Sequence, residues 1–324
     1  MRKLIIVLLP ILVLAGCSSA NSEPEGPLGY DVLSQSLEER CDVYSGGEAV
    51  DQIELSGDFG VAPEVTFPTP LVGSGVETKI FIEGDGGKIV GNQRVAMHFT
   101  GFNAATGEQF QGSEFGTETT IVQDLVDGAT PDFCHALSGV SVGSRVAVLL
   151  DPQSAHGGSG VEGLAVGPAD GIIFVFDIVT AYLPTATGDK VGAKSGFPTV
   201  ILAPSGQPGI QIPATEAPAE FMKAETILGK GEPIEIGDTV VLQYSGWTWD
   251  GEQFDSSWER GAPASFTVTS EGLIEGFVRA LEGATIGSQV IAVIPPELGY
   301  GDNAQGAIPA GSTLIFVIDI LGKQ

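Results

Sequence analysis

Basic residues are scarce in this chain of 324 residues, which carries 14 Lys and Arg against 41 Asp and Glu and has a formal net charge of −27 at pH 7. Binding to a phosphate backbone needs clustered positive charge, so the composition argues against a nucleic-acid partner. Aromatic residues make up only 7% of the chain, whereas it contains 46 glycines and 20 prolines. That balance is typical of a loop-rich β protein.

Histidine is also rare. The three copies, His98, His135 and His156, show no paired spacing such as H-x-x-x-H, and no Cys-x-x-Cys occurs. We expect His98 in a strand, His135 in a helix and His156 in a loop, so the sequence predicts no shared metal site. It also lacks a G-x-x-x-x-G-K-[ST] phosphate loop. We therefore expect neither a metal nor a cofactor.

Long apolar runs are absent apart from one, between Leu4 and Leu14, which follows a basic start. At 1.5 Å per residue these residues reach roughly 16 Å, about half of a bilayer core, so a membrane-spanning helix is disfavoured. A basic start, a short apolar run and small residues before position 17 are instead typical of a secretory signal.

The residues Leu14-Ala15-Gly16-Cys17 resemble the lipobox of bacterial lipoproteins. That resemblance implies a signal peptide over residues 1–16, lipidation of Cys17, and a lipid-anchored protein on the extracytoplasmic face of the cell membrane. The polar stretch after Cys17 suits a flexible tether. An ordinary cleaved signal, which leaves a soluble secreted protein, is the alternative.

Two further cysteines, Cys41 and Cys134, remain. In an exported chain an even pair is readable as one disulfide, which here would join the N-terminal extension to the first domain. Two buried free thiols are the alternative, because the sequence gives no Cα separation.

The chain repeats itself once, at an offset of about 144 residues over a stretch of about 120 residues, far longer than the 20 to 50 of a solenoid repeat. The matching segments are Met97–Gly101 with Leu242–Gly246, Gly107–Phe110 with Gly251–Phe254, and Ile172–Asp177 with Leu314–Asp319. We therefore predict a tandem duplication with a lipidated tether over 17–59, a first repeat over 60–185, a linker over 186–196 and a second repeat over 197–324.

Each repeat combines several short strands with one helix. In the second repeat, Val-, Leu- and Tyr-rich segments predict strands, while Ile274, Phe277, Val278 and Leu281 have the i, i+3, i+4, i+7 spacing of an amphipathic helix. The fold class expected for each repeat is α+β, with a twisted antiparallel sheet wrapped around one short helix.

Seven blocks of the second repeat occur in a specific order. They are Gly237-Asp238, Tyr244-Ser245-Gly246, Asp250-Gly251 with Phe254-Asp255-Ser256-Ser257, Arg260-Gly261, Ile274-Glu275-Gly276, Ile294–Gly301, and Ile308-Pro309. Together they resemble the FKBP-type peptidyl-prolyl cis-trans isomerases over the whole second repeat. The resemblance implies two tandem FKBP-like domains, each a half-barrel closing on its helix with a shallow apolar pocket between them.

The resemblance also implies roles for individual residues. The Ile274 N–H and the Tyr300 hydroxyl would hold substrate carbonyls, while Asp255 would place a negative field near the rotating amide and orient Tyr244. Substrate-binding positions would be Phe254, Leu273, Phe277, Ile308 and Phe316. Proline-containing exported polypeptides would be the substrates. Macrolide inhibitors would bind the same pocket, though more weakly, since Ala264 stands where many members have an aromatic wall residue.

Each of these residues has a simpler interpretation. Asp255 is also a common turn residue, Tyr300 lies between glycines and suits an exposed loop, and Phe277 and Phe316 suit an ordinary core. In the first repeat the polar positions are replaced, with Gln111 for Asp255. The other replacements there are Phe99, Thr130 and His156. We therefore expect that repeat to be catalytically weak or inert. The alternative function for the whole chain is a surface-anchored polypeptide-binding chaperone or interaction module with little turnover.

Overall fold

The computed structural model of the chain describes residues 41–324 except Asn92 and Ala193. The signal peptide predicted over 1–16 and the lipidation predicted at Cys17 lie outside the described residues. In the described part of the chain, no helix combines the length and the apolar character needed to cross a membrane.

A six-stranded antiparallel sheet forms the first repeat. Its strands are β3 (Val76–Ile82), β4 (Arg94–Asn103), β5 (Gln109–Gly112), β6 (Ile121–Asp124), β7 (Arg145–Leu150) and β8 (Ile172–Ala181). The order is β3-β7-β8-β4-β5, and β6 also pairs with β4. Two short helices, α1 (Phe133–Leu137) and α2 (Pro152–His156), and a 3-10 turn at Glu162–Leu164 complete it.

The residues before the first sheet cover its outer face. They form a 3-10 turn (Val50–Gln52) and the hairpin β1 (Glu54–Ser56) and β2 (Glu64–Thr66). Val50 and Ile53 pack there against Leu149 and Val175, while Val148 and Phe176 face the core around α1. Because both faces are covered, β7 is apolar at every position after its first.

The second repeat has a sheet in which the corresponding strands β12, β16, β17, β13 and β14 follow the order of the first sheet, with β9 as an additional edge strand. Its strands are β9 (Asp189–Lys190), β12 (Met222–Leu228), β13 (Thr239–Thr248), β14 (Gln253–Ser256), β15 (Ala264–Thr267), β16 (Gln289–Ile294) and β17 (Leu314–Lys323). The order is β14-β13-β17-β16-β12-β9, and β15 also pairs with β13. The hairpin β10 (Thr199–Leu202) and β11 (Pro208–Gln211) covers the outer face. A 3-10 turn lies at Pro296–Leu298.

Helix α3 (Glu275–Leu281) packs on the inner face of the second sheet. The expected apolar side of the helix is the buried one, since Phe277, Val278 and Leu281 all join the core. A Cβ atom on Gly276 would lie 2.3 Å from the Ile294 side chain, so a glycine is needed where the helix approaches β16. Antiparallel sheets with few, short helices make the chain an α+β protein.

His156 ends helix α2, so the loop expected at this residue is wrong. The Asp151 side chain accepts a hydrogen bond of 2.8 Å from the Ser154 N–H and so caps the helix, and Pro152 occupies its first turn. Asp as N-cap followed by Pro is a common way to begin a helix, so the sequence held a signal for α2.

Part of the predicted linker belongs to the second sheet. The two residues of β9 pair with Ile227 and Leu228 of β12, and the Ala186 N–H donates a 2.9 Å hydrogen bond to Asp319. The strand is too short to show a hydrophobic pattern in the sequence, and its position is set by pairing with a distant segment.

Cys41 and Cys134 form a disulfide with a Cα separation of 5.9 Å. Cys134 lies in α1, and both residues are buried in the first core. The Tyr44 N–H donates a 3.0 Å hydrogen bond to the Ser138 carbonyl beside this bond. The extension before the first repeat is thus tied to α1 both covalently and by hydrogen bonding.

One pair of corresponding buried positions is bonded differently in the two repeats. In the first, Arg145 and Asp177 form a fully buried ion pair, with Nε–Oδ1 at 2.6 Å and Nη2–Oδ2 at 2.7 Å. In the second, Asp319 accepts instead from the neutral Gln289 amide at 2.8 Å. Burial raises the pKa of Asp319 to about 6, although its bonds from the Ala186 N–H and from Gln289 act in the opposite direction.

Arg94 connects the two sheets. Its guanidinium binds both carboxylate oxygens of Asp124 in β6, at 2.7 and 2.8 Å, and donates at 2.8 Å to the Pro263 carbonyl and also to the Ser265 hydroxyl. An apolar seam runs beside it. The residues of the seam are Ala96, Tyr182, Val241 and Leu321. The edge strands β6 and β15 are therefore neighbours across one arginine side chain.

Candidate functional site

A cavity of about 390 Å³ opens between α3, β13, β17 and the loop after the Pro296–Leu298 turn. All nine residues predicted for the site line it. They are Tyr244, Phe254, Asp255, Leu273, Ile274, Phe277, Tyr300, Ile308 and Phe316. The structure thus brings into one place residues that lie up to 72 positions apart in the sequence, from 244 to 316.

Aromatic rings form the floor of this cavity. The Phe277 and Phe316 ring centroids lie 5.0 Å apart at an interplanar angle of 84°, and Phe254 meets Phe316 edge-on at 5.5 Å. Such edge-to-face pairs are worth about 0.5–1.5 kcal/mol beyond the area that they bury. A Cβ atom on Gly246 would lie 2.7 Å from the Phe254 ring and 2.9 Å from the Phe316 ring, so this strand position must be glycine for the rings to fit.

A polar cluster closes one end of the floor. The Tyr244 hydroxyl donates to Asp255 and accepts a 3.0 Å hydrogen bond from Arg260, whose guanidinium also pairs with Asp255. Burial, reinforced by the hydrogen bond to Asp255, raises the pKa of Tyr244 to about 12. The phenol is therefore neutral at neutral pH and keeps its proton for Asp255.

Asp255 lies within strand β14, where it pairs with Gly246 of β13. The simpler interpretation, a turn residue that bonds its own backbone, does not describe this position, because its carboxylate bonds Tyr244 and Arg260. The register of β14 on β13 thus places the carboxylate at the cavity edge.

The opposite side of the cavity offers groups suited to binding a peptide backbone. Ile274 caps α3, and its carbonyl accepts from the Phe277 and Val278 N–H groups at 3.0 and 3.2 Å. Within the described residues, the Ile274 N–H makes no intramolecular hydrogen bond. Tyr300 is half-buried, and Ile308 is held by a tight turn in which it and Gln305 exchange two backbone hydrogen bonds of 2.9 Å.

Sequence reasoning missed two large side chains of the site, as well as the lining residues Gly272, Gln305, Gly306 and Ala307. Phe266 lines the cavity, and its ring centroid lies 5.9 Å from that of Tyr244 and 6.0 Å from that of Phe277. Ala264, two residues earlier on β15, is not among the lining residues. Positions 264 and 266 lie on the same face of β15, because alternate strand residues share a face. The aromatic ring of Phe266 therefore supplies the wall that the small Ala264 does not.

Arg260 is the second residue that was missed. It belonged to one of the sequence blocks, but nothing in the sequence indicated that it would bond both Tyr244 and Asp255. Its guanidinium also lies 5.4 Å from the centroid of the Tyr244 ring, which is a cation–π contact. Tyr244, Asp255 and Arg260 therefore form the polar end of the site as one bonded group.

A family model described as FKBP-type peptidyl-prolyl cis-trans isomerase matches residues 230–321, the span that contains this cavity. The chain is also 35% identical over 116 residues to a probable FK506-binding protein of Corynebacterium glutamicum, covering 97% of that protein and 36% of this chain. This chain belongs to the FKBP-type peptidyl-prolyl cis-trans isomerase family. Its enzyme class is that of the peptidyl-prolyl cis-trans isomerases.

Other FKBP proteins match smaller shares of their own length or with lower identity. The chain is 43% identical over 93 residues to FkpA of Escherichia coli. The matched region covers 29% of this chain and 34% of FkpA. A crystal structure of the three FKBP domains of wheat FKBP73 aligns with 77% of this chain and 95% of its own, at 21% identity and a TM-score of 0.35.

Proposed function

We propose that the second repeat accelerates rotation about X-Pro bonds in exported polypeptides, and that the cavity between α3 and β17 is where it does so. The observation that carries this proposal is that all nine expected residues line one cavity, and that Arg260 bonds two of them, Tyr244 and Asp255. Macrolide inhibitors of the family would occupy the same cavity, against Phe266 in place of the wall expected at position 264.

The chemistry that the cavity must perform is modest. Resonance keeps an X-Pro amide planar behind a barrier of about 18–20 kcal/mol, so unaided rotation takes tens to hundreds of seconds. The twisted amide has lost that resonance and is less polar across its C–N bond. A dry aromatic floor built from Phe254, Phe277 and Phe316 therefore favours the twisted amide over the planar one, which is differential binding of the transition state.

The polar groups then hold and polarise the substrate. The Ile274 N–H and the Tyr300 hydroxyl would bind carbonyls on either side of the proline. Asp255, kept in place by Tyr244 and Arg260, would face the rotating amide with a fixed negative charge. None of these roles needs proton transfer, so the mechanism requires no general base.

Turnover of a short Xaa-Pro peptide by the full chain tests the proposal. The variant Asp255→Ala/Tyr300→Ala should lose at least tenfold in kcat/KM while keeping its circular dichroism spectrum. Asp302→Ala is the matched control, since Asp302 is exposed, lies two residues beyond Tyr300 and does not line the cavity. Equal turnover by the parent and the double variant would show that this cavity is not the catalytic site.

We propose further that the first repeat is a second FKBP-like domain without turnover. Its sheet has the strand order of the second, which supports a tandem duplication. Phe99, Gln111 and His156 stand where the second repeat has Tyr244, Asp255 and Tyr300, so the groups proposed to act on the substrate are missing. If the turnover left in the double variant were removed by adding Thr130→Trp, at the exposed counterpart of Ile274, it would come from the first repeat.

Anchoring through Cys17 on the extracytoplasmic face of the membrane is also a proposal, supported by the sequence Leu14–Cys17. Expressed in a bacterial host, the full chain should be found in the membrane fraction, and Cys17→Ser should release it. Equal membrane retention of the two would refute the anchor, whatever the catalytic result.

A further inference from the structure

Residues 257–263 join β14 to β15 at the edge of the cavity, and we call this segment the connector. Arg260 lies within the connector and bonds both Tyr244 and Asp255. Phe266, which follows three residues after the connector, supplies a wall of the cavity. The position of the connector therefore sets the positions of both the polar end and one wall of the site.

Strand β15 gives the connector limited support within its own repeat. It has four residues and, in the part of the chain that the structure describes, it pairs with β13 alone. A central strand is hydrogen-bonded along both edges, whereas β15 is bonded along one. Contacts from outside the second sheet therefore matter for where the connector and Phe266 lie.

Arg94 of the first repeat provides such contacts. Its Nε and Nη2 atoms donate to both carboxylate oxygens of Asp124, at 2.7 and 2.8 Å, which fixes the plane of the guanidinium. Its Nη2 also donates at 2.8 Å to the Pro263 carbonyl, and its Nη1 donates to the Ser265 hydroxyl. Neighbouring strand residues point to opposite faces, so Ser265 meets Arg94 on one face of β15 while Phe266 meets the cavity on the other.

The loop after β6 contacts the connector as well. A Cβ atom on Gly261 would lie 3.7 Å from the Val126 Cγ1 atom, which is an ordinary van der Waals distance. Beside the apolar seam, the Leu183 N–H donates a 3.1 Å hydrogen bond to the Leu321 carbonyl. The first repeat thus reaches the connector with one charged and one apolar side chain, next to a seam that joins the two sheets.

The corresponding pair in the second repeat shows that strand pairing alone does not need an arginine. Arg94 lies opposite Asp124 on β4 and β6, and Thr239 lies opposite Thr267 on β13 and β15. The hydroxyl groups of Thr239 and Thr267 bond each other at 3.1 Å. Two threonines are therefore enough at this place in the sheet, and the long forked side chain of Arg94 adds bonds to the other repeat.

We propose that Arg94 is a positioning residue for the cavity of the second repeat. By holding the connector from the first repeat, it keeps Arg260 bonded to Asp255 and so keeps the Asp255 carboxylate directed at the rotating amide. The effect on turnover rests on the proposed function, whereas the hold on the connector does not. Because the aromatic floor and Ile274 stay in place without Arg94, substrate binding should change little and the loss should fall on kcat.

Turnover of a short Xaa-Pro peptide by the full chain tests the effect on the site. Arg94→Gln should lower kcat about threefold or more, with KM changed by less than about twofold. In an Arg260→Gln background the same substitution should change kcat by less than about 1.5-fold, because the side chain through which Arg94 acts is gone. Equal kcat in the parent and in Arg94→Gln, or an equal loss in both backgrounds, would overturn the proposal.

Lys79→Gln is the matched control. Lys79 also donates to two backbone carbonyls, those of Asp51 and Ile53, but both belong to the first repeat. This variant should keep the kcat of the parent, and a loss equal to that of Arg94→Gln would assign the effect to general weakening of the first repeat. If Arg94→Gln does not fold, Arg94→Lys takes its place, since one ammonium keeps the charge but lacks the planar fork that binds Asp124 twice.

A readout that does not need turnover separates this proposal from the proposed function. Trp258 is a buried residue of the connector, whereas Trp247 lies on β13 and Trp249 follows it. In a chain labelled with fluorotryptophan, Arg94→Gln should shift or broaden the fluorine resonance of Trp258, assigned with Trp258→Phe, and leave the other two unchanged. An unchanged Trp258 resonance, or equal shifts of all three, would overturn the hold on the connector. A shift confined to Trp258, in a chain whose parent has no turnover, would support the hold and refute the proposed function.

Discussion

Replacing Arg145 by Gln would give the first repeat the same buried pair as the second, and the structure allows the cost to be worked out. The guanidinium binds Asp177 twice and also donates to the Gly57 and Val61 carbonyls of the β1–β2 hairpin, at 2.8 and 2.6 Å. Of the carboxylate's partners, the Gly60 N–H at 2.7 Å would remain. Removing one partner of a buried ion pair typically costs about 3–5 kcal/mol.

The cost should depend on pH in a definite direction. Burial raises the pKa of Asp319, the carboxyl bonded to Gln289, to about 6, against an ordinary Asp value of about 3.9, and each pKa unit is worth about 1.4 kcal/mol. A carboxyl with a raised folded-state pKa ionises first in the unfolded chain, so stability falls as pH rises through that window. The loss in free energy of unfolding caused by Arg145→Gln should therefore be about 2–3 kcal/mol smaller at pH 4 than at pH 7.

Urea unfolding followed by two probes separates the repeats. The three tryptophans, Trp247, Trp249 and Trp258, all lie in the second repeat, so their emission reports that repeat, whereas far-ultraviolet circular dichroism reports both. We expect the variant to shift only the dichroism transition at pH 7. The double variant Arg145→Gln/Asp177→Asn, which buries no charge, should recover part of the loss. A cost below 1 kcal/mol at pH 7, or one independent of pH, would refute the reasoning.

Three further predictions concern other contacts. Cys41→Ser/Cys134→Ser opens a loop with a sequence separation of 93 and should cost up to about 4.7 kcal/mol by the loop-entropy model, measured as a shift in urea midpoint. Arg94→Gln should cost about 1–3 kcal/mol at the seam and speed hydrogen exchange in residues 263–267; unchanged exchange would contradict this. Wild-type tryptophan-detected stability should fall by about 2–3 kcal/mol between pH 4 and 6, a slope that Asp319→Asn should remove.

The site residues were predicted from the resemblance of seven ordered sequence blocks to the FKBP-type isomerases, whereas the fold and helix α3 were predicted from local patterns. The apolar spacing of Ile274, Phe277 and Leu281 places one helix face on the sheet, and β13 alternation brings Tyr244 to that same side. The fold class followed from the same periodicities. These signals are local, so a single sequence is enough to show them.

Contacts between distant segments were not predictable in this way. The cover over the outer faces, from Val50 to Leu71 in the first repeat and by β10–β11 in the second, depends on long-range packing. The continuous apolar run of β7 is typical of a strand buried on both faces, but it does not show which segment covers them. The bonds of Arg260 and Arg94 depend likewise on how separate strands come together.

The disulfide between Cys41 and Cys134 encloses β1 to β6 in one covalent loop. A protease that cuts anywhere within this loop therefore produces two pieces that stay joined through sulfur. The nicked protein would keep its full mass on a gel without reductant and separate into fragments only after reduction. In an oxidising compartment, where thiols stay oxidised, the N-terminal extension and the second repeat would thus stay joined after a single break.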